Sequence, residues 1–149
     1  METKEITIAV SADHRGFRQK EYIKSYLINS GYNVIDCGTE SDDKVDYPKY
    51  GKIVAELTVH NEANFGVSVC GSGIGVTIAA NKVKGARAVN VNNEELAKMS
   101  RMHNNANVIC FGSDFVTNED AIKYLKIFIE TPFDIGERHH KRVQMLNEM

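Results

Sequence analysis

The chain has 149 residues, 42% of them hydrophobic and 26% charged, which suits one soluble domain with a sizeable core. Its formal net charge of −2 gives no general pull toward nucleic acid or anionic membrane, and no apolar run is long enough to span a bilayer. Met1-Glu2-Thr3-Lys4-Glu5 lacks a signal-peptide pattern, and three cysteines, an odd number, argue against a disulfide framework, so a cytoplasmic setting is expected.

Taken in order, Ile6 to Val10 reads as the first strand, followed by the polar turn Ser11-Ala12-Asp13-His14-Arg15-Gly16. Phe17, Ile23, Tyr26 and Leu27 mark one face of a helix that Gly31 stops. Asn33 to Cys37 is the second strand, and a polar loop runs through Asp46. Pro48 fits the first turn of a second helix, with Tyr50, Val54 and Leu57 facing inward. The third strand is Phe65 to Cys70, and a helix starts near Gly75.

Ala86 to Val91 forms the fourth strand, and Asn92 or Asn93 caps a helix carrying Leu96, Met99 and Met102. Asn107 to Phe111 is the fifth strand. Asn118 caps the fifth helix, with Ile122, Leu125 and Ile129 on its core side; Pro132 ends it, and a basic helix follows Gly136. Five nearly all-apolar strands alternating with helices predict an α/β domain over residues 1–149. The expected architecture is a five-stranded parallel sheet in a three-layer α/β/α, Rossmann-like arrangement. Ligands of such folds bind at the carboxyl ends of strands where the winding reverses. If the first and third strands are neighbours, Asp13-His14 and Cys70-Gly71 meet there.

The stretch Val67 to Lys82 carries the chemistry. A buried strand ends in a thiol, glycines follow at 71, 73 and 75, and a small-residue helix begins. Unpaired backbone N–H groups and the positive helix end then point at one spot, a ready anion site with Cys70 at its rim. A thiolate beside an oxyanion cradle suits proton abstraction next to a carbonyl. A strand-end cysteine can equally be a small buried hydrophobe, and Cys37 and Cys110 also close apolar runs, but only Cys70 precedes a glycine loop. Gly71-x-Gly73-x-Gly75 is not the dinucleotide spacing, no acid closes Asn90-Val91-Asn92, and no Gly-Lys-Ser/Thr is present, which disfavours a nucleotide.

Other polar groups sit at element ends. His103-Asn104 closes the fourth helix, where a histidine can simply meet the helix dipole, and Asp13 can be a turn or cap residue. Arg138 and Arg142 lie four apart on one face of the last helix, either a solvated basic face or an anion site. Metal binding by His139-His140 is not expected, because three flanking cations oppose a divalent ion.

Seven motifs in order resemble the B-type ribose-5-phosphate isomerases, whose relatives act on galactose 6-phosphate and allose 6-phosphate. They are Asp13-His14-x-Gly16-Phe17, Asp36-x-Gly38-Thr39, Asp46-Tyr47-Pro48, Cys70 to Gly75, Ala79-Ala80-Asn81-Lys82, Ser100-Arg101-x-His103-Asn104 and Arg138-His139-x-x-Arg142-Val143. The resemblance implies a cofactor-free, metal-free aldose–ketose isomerase working through a cis-enediolate. It implies Cys70 as the base and backbone N–H groups of Gly71, Gly73, Ile74 and Gly75, with the Ser72 hydroxyl, as holders of the enediolate oxygens. By the same resemblance His103 opens the furanose ring, and Asp13 and Asn104 position sugar hydroxyls. His14, Arg138 and Arg142 take the phosphate, and Tyr47 lines the pocket. A homodimer or homotetramer with shared sites is implied, His103 and Asn104 coming from the neighbour. The phosphosugar would be the small-molecule partner, with neither nucleic acid nor membrane.

Three positions depart from the family pattern. Ser11-Ala12 stands where Gly-Ser or Gly-Cys is usual, Ser72 where threonine is frequent, and Asp114 where relatives often carry a phosphate-binding arginine. Asp114 leaves room for another phosphosugar (allose 6-phosphate, galactose 6-phosphate or a tetrulose phosphate) or for a non-catalytic sugar-phosphate-binding protein.

Overall fold

Apolar runs whose alternate side chains seek two different cores need a sheet covered on both faces, and the computed structural model has one. It describes residues 5–134 and 136–149. In chain order the elements are β1 (Thr7–Ala12), α1 (Phe17–Asn29), β2 (Asn33–Asp36), α2 (Pro48–Val59), β3 (Phe65–Cys70) and α3 (Ile74–Asn81). There follow β4 (Ala88–Asn90), α4 (Glu94–Met102), β5 (Val108–Gly112), α5 (Asn118–Glu130) and α6 (Glu137–Asn147). The five strands are parallel in the order β2-β1-β3-β5-β4.

Strand alternation divides the interior. Ile8, Val10, Val67, Val69, Ile109 and Phe111 face α1, α4 and α5, where Ile23, Leu27, Ala97, Leu125 and Phe128 meet them. Ala9, Cys70, Val108 and Cys110 face α2 and α3, with Val54, Ala55, Val76 and Ala80. The winding reverses between β1 and β3, which pair directly with Ala12 opposite Val69, so the expected adjacency holds. Asp13 N–H donates to the Val69 carbonyl at 3.1 Å, and Cys70 lies opposite Gly112. Asp13, Cys70 and Gly112 therefore end three adjacent strands at one sheet edge.

Several boundaries differ from the sequence expectation. β1 runs on through Ser11 and Ala12, because two buried hydroxyls complete the sheet where apolar patterning stops. Ser11 Oγ lies 2.9 Å from Ser68 Oγ and donates to the Tyr50 carbonyl at 2.6 Å. β4 shrinks to Ala88–Asn90 since it lies at the sheet edge, where the Asn81 side chain bonds the Ala88 N–H (2.8 Å) and carbonyl (2.9 Å). The α5 cap is Thr117, whose hydroxyl accepts the Asp120 N–H, while Asn118 is the first helical residue. Asn93 caps α4, but Ala97 and Ser100 are its buried residues, leaving Leu96 and Met99 exposed.

α1 buries a charge. The Lys20 side chain is 1% exposed, with Nζ 2.8 Å from Asp36 Oδ1, 2.9 Å from Glu21 Oε2 and 2.8 Å from the Thr39 carbonyl. Burial pushes the Asp36 carboxyl up, but hydrogen bonds from Lys20, Lys24 and the Gly38 N–H outweigh it and hold the pKa below its ordinary value. This cluster fixes the loop after β2, whose Thr39 N–H bonds the Ala12 carbonyl beside Asp13.

Asp36→Ala should cost about 2–3 kcal/mol at neutral pH, because Lys20 then keeps Glu21 alone as a carboxylate partner. A carboxyl with a depressed native pKa stabilises fully above its unfolded pKa, near 4, and loses that contribution as pH falls through the native value. Urea melts of both proteins at pH 7 and at about pH 2 test this: the difference should shrink in acid. An undiminished difference would show that the Asp36 charge is not what holds Lys20.

Candidate active site

The carboxyl ends of β1 and β3 open into a cleft of about 600 Å³ lined by Asp13, Tyr47, Cys70, Ser72, Gly75 and Asp114, among others. Its floor is the turn from β3 into α3. Gly73 sits at φ +79°, a conformation glycine adopts readily, and a Cβ there would overlap Asn90 Oδ1 and come within 2.8 Å of the Gly112 nitrogen. Asn90 Nδ2 also donates to the Ser72 carbonyl at 3.2 Å, tying the turn to the end of β4. Ser113 and Asp114 N–H groups bond the Cys70 and Gly71 carbonyls, each at 2.9 Å.

With the carbonyls engaged, the turn's amides have two fates. Gly73 N–H donates to Cys70 Sγ at 3.2 Å, and Ile74 N–H to Ser72 Oγ at 3.1 Å. The N–H groups of Gly71, Ser72 and Gly75 have no acceptor among the described residues and belong to the cleft lining. The five amides are thus divided: one faces the sulfur, one the serine hydroxyl, and three are free at a helix start.

Cys70 lines the cleft, and Cys37 and Cys110 do not. Burial pushes Cys37 up to about 11, helped by the Asp36 charge, and pushes the fully buried Cys110 up to about 12. Both remain protonated near neutrality. All three cysteines are free, and among the described residues no group of three or more His, Cys, Asp or Glu could hold a metal ion.

The other candidate residues divide between two places. Asp13 is buried at the cleft, with Oδ1 accepting the N–H groups of Arg15 and Gly16 at 3.0 Å each, so it is a turn residue and a lining residue together. Tyr47 lies over Gly75, where a Cβ would stand 2.5 Å from its ring. His14 is not among the lining residues; its Nδ1 lies 3.1 Å from the Val45 carbonyl and 3.2 Å from the Val45 nitrogen.

His103, Asn104, Arg138 and Arg142 do not line the cleft either. α4 begins at the carboxyl ends of the strands and returns, so its last residues lie at the amino end of β5. A five-residue strand separates those ends by about 13 Å. There His103 stacks on His139, with ring centroids 4.5 Å apart and planes 11° from parallel. Partial burial, then the His103, Arg138 and Arg142 charges, lower the His139 pKa against the opposing pull of Asp134. Arg101 clamps this corner. Its guanidinium lies between Phe65 and Phe128, at 5.0 and 5.6 Å from the ring centroids, and bonds Asn105 Oδ1 and the Ala106 carbonyl. Burial and then Arg87 lower its pKa to about 10, leaving it cationic at neutral pH.

Sequence reasoning missed Arg15, Asn90, Thr77 and Ser113. Thr77 Oγ1 donates to the Gly73 carbonyl at 2.6 Å, and Ser113 Oγ to the Arg15 carbonyl at 3.0 Å. For Arg15, Asn90 and Ser113 the one signal was position, at or just past the ends of strands, whereas Thr77 sits inside the apolar α3.

A family model described as Ribose/Galactose Isomerase matches residues 8–146, and the chain belongs to that family. It is 40% identical over 139 residues to ribose-5-phosphate isomerase B of Escherichia coli, covering 93% of both chains. Its structure resembles a ribose 5-phosphate isomerase of Thermotoga maritima with a TM-score of 0.93 at 40% identity, over 97% of this chain and 99% of the other. It also resembles ribose-5-phosphate isomerase B of Mycoplasma genitalium with bound ribulose-5-phosphate, with a TM-score of 0.89 at 36% identity, over 96% and 95%.

Gly75→Ala isolates the pocket from the scaffold. Position 75 is helical, where alanine is favoured over glycine by about 1 kcal/mol, so stability should change by less than about that amount. The Tyr47 ring must move, and KM for a cleft ligand should rise several-fold. A large drop in melting temperature would show instead that the ring contact holds the fold.

Proposed function

We propose that the chain interconverts D-ribose 5-phosphate and D-ribulose 5-phosphate. It is an aldose–ketose isomerase, and the observation that carries the mechanism is the division of amides around Cys70. The Cys70 thiolate removes the C2 proton of the open-chain aldose and returns it to C1, while the hydroxyl proton on O2 passes to O1. The negative charge that builds on these oxygens meets the free N–H groups of Gly71, Ser72 and Gly75. The Gly73 N–H donates to the sulfur and holds it at the turn. A positioned general base contributes about 10²–10⁴ in rate. Asp13 and Tyr47 hold the sugar.

The remaining groups come from a second copy. In one chain His103, Asn104, Arg138 and Arg142 lie at the far end of the sheet from Cys70. A homodimer, or a homotetramer built from it, brings one copy's basic cluster to the other's cleft. Exposed Ile74, Ile78 and Phe115 on the cleft rim (58%, 55% and 76% exposed) supply the apolar contact. His103 opens the furanose ring, Asn104 holds a hydroxyl, and Arg138 and Arg142 bind phosphate, with His14 beside the cleft on the first copy. Among the described residues no helix is long and apolar enough to cross a membrane, and three free thiols suit the reducing cytoplasm.

The direct test is conversion of ribose 5-phosphate by the purified protein in the presence of a chelator, with allose 6-phosphate alongside. Faster turnover of the six-carbon sugar would reassign the substrate. Cys70→Ala should lower kcat at least about a hundredfold with little change in affinity, whereas Cys37→Ala and Cys110→Ala should affect stability only. Near-normal turnover without the Cys70 thiol would point to another base.

Mixing inactive Cys70→Ala and His103→Ala subunits tests the shared site. In a mixed dimer one of two sites keeps both groups, so random exchange should restore about a quarter of the wild-type sites. No recovery after verified exchange would place both groups on one chain.

A further inference from the structure

Among the described residues lining the cleft Arg15 is the one cation, and the other charged members are Asp13 and Asp114. An anion held there by a cationic side chain of this chain is therefore held by Arg15. Its Nη2 pairs with Asp114 Oδ2, both side chains being about half exposed (56% and 45%). The pair stands over Gly71, where a Cβ would lie 2.9 Å from Arg15 Nε and 3.1 Å from Asp114 Oδ2. Asp114 is itself fixed by its N–H bond to the Gly71 carbonyl, and the Arg15 carbonyl accepts from Ser113 Oγ. Backbone and side chain thus hold the guanidinium over Gly71 at the cleft.

A guanidinium has five N–H donors in a fixed fork. The Asp114 bond uses one, and the other four have no partner among the described residues. We infer that Arg15 binds the phosphate of the substrate and that Asp114 is the residue that aims it. This rests on reading the cleft as a phosphosugar site. The acid at position 114 then has two opposed effects. It narrows the rotamer freedom of Arg15, so less entropy is lost when phosphate binds. It also repels the dianion, which moderates affinity and favours release of product.

The two explanations of the pair, phosphate ligand or mere neutraliser of Asp114, separate in a double-mutant experiment. Binding of inorganic phosphate and of ribose 5-phosphate is measured by calorimetry on the intact protein and on Arg15→Ala, Asp114→Asn and the double variant. A half-exposed pair contributes at most about 1 kcal/mol to folding, so all four should fold, which melting curves verify. Arg15→Ala should weaken both ligands at least about tenfold, Asp114→Asn should bind them equally or more tightly, and the double variant should stay as weak as Arg15→Ala. Arg15→Lys should recover only part of the affinity, since it keeps the charge and loses the fork. Recovery of wild-type affinity in the double variant, or an unchanged Kd in Arg15→Ala, would overturn the assignment. So would an equal loss of affinity for unphosphorylated ribose. Phosphate binding is read without turnover, so an inactive wild-type protein that binds phosphate through Arg15 would refute the isomerase reading and leave this inference standing.

Discussion

The left-handed turn at Gly73 is the constraint on which the site depends. A strand and a helix that follow one another in a parallel α/β unit must reverse direction at the carboxyl edge. Here the reversal is made within three residues, Gly71 to Gly73. Only a residue without a Cβ fits between Asn90 and Gly112, and Gly73 at φ +79° carries the chain from there into α3, while its N–H donates to Cys70 Sγ. In the same turn the amides of Gly71, Ser72 and Gly75 have no acceptor among the described residues. One short turn therefore provides both the sulfur's hydrogen bond and three free amides. Any alternative turn that satisfied all five amides internally would remove the site.

The apolar strand runs and the glycine loop were readable because each is a local property. Short, nearly all-apolar runs placed the five strands within one or two residues, and the strand–thiol–glycine–helix order marked the cleft. The sequence was less informative where polar atoms replace apolar ones. Ser11 and Ser68 satisfy each other inside the sheet, so β1 continues through residues that pattern reading assigns to a turn. Lys20 is among the most buried side chains of α1, although charge normally marks an outer face. Asn81 shortens β4 by acting as the missing neighbour strand, an interaction across seven residues that no propensity encodes. Thr117 rather than Asn118 caps α5, a one-residue choice between two good capping types.

The location of His103 is the more instructive case. Its motif was legible, and its distance from Cys70 followed from topology alone. A crossover helix starts where one strand ends and finishes where the next begins. A residue closing α4 must then lie at the opposite sheet edge from a residue closing β3. No side-chain rotation bridges that span, so a chemistry needing both groups requires a second chain or a different general acid. The stacked His103–His139 pair and the neighbouring arginines form an electropositive patch, with Asp134 pulling the other way on His139. Such a patch is unfavourable in isolation and is relieved by an anion. The cleft, whose own charged side chains are two acids and one arginine, is complementary to it.

The three cysteines show how little sequence separates a thiol at the cleft from thiols buried away from it. Cys70 and Cys110 lie on adjacent strands, face the same helices and belong to the same core cluster. β5 continues through Phe111 and Gly112 after its cysteine, so Cys110 is sealed beneath α3 with Thr77 beside it, and burial pushes its pKa to about 12. β3 ends at its cysteine, so Cys70 meets the turn and the cleft. Cys37 follows the end of β2 at the sheet margin, where the neighbouring Asp36 charge adds to burial and drives the thiol up to about 11. Apolar context is common to all three. What distinguishes Cys70 is a strand that stops there and a backbone donor that the following glycine turns toward it, and both are consequences of where the chain places its glycines.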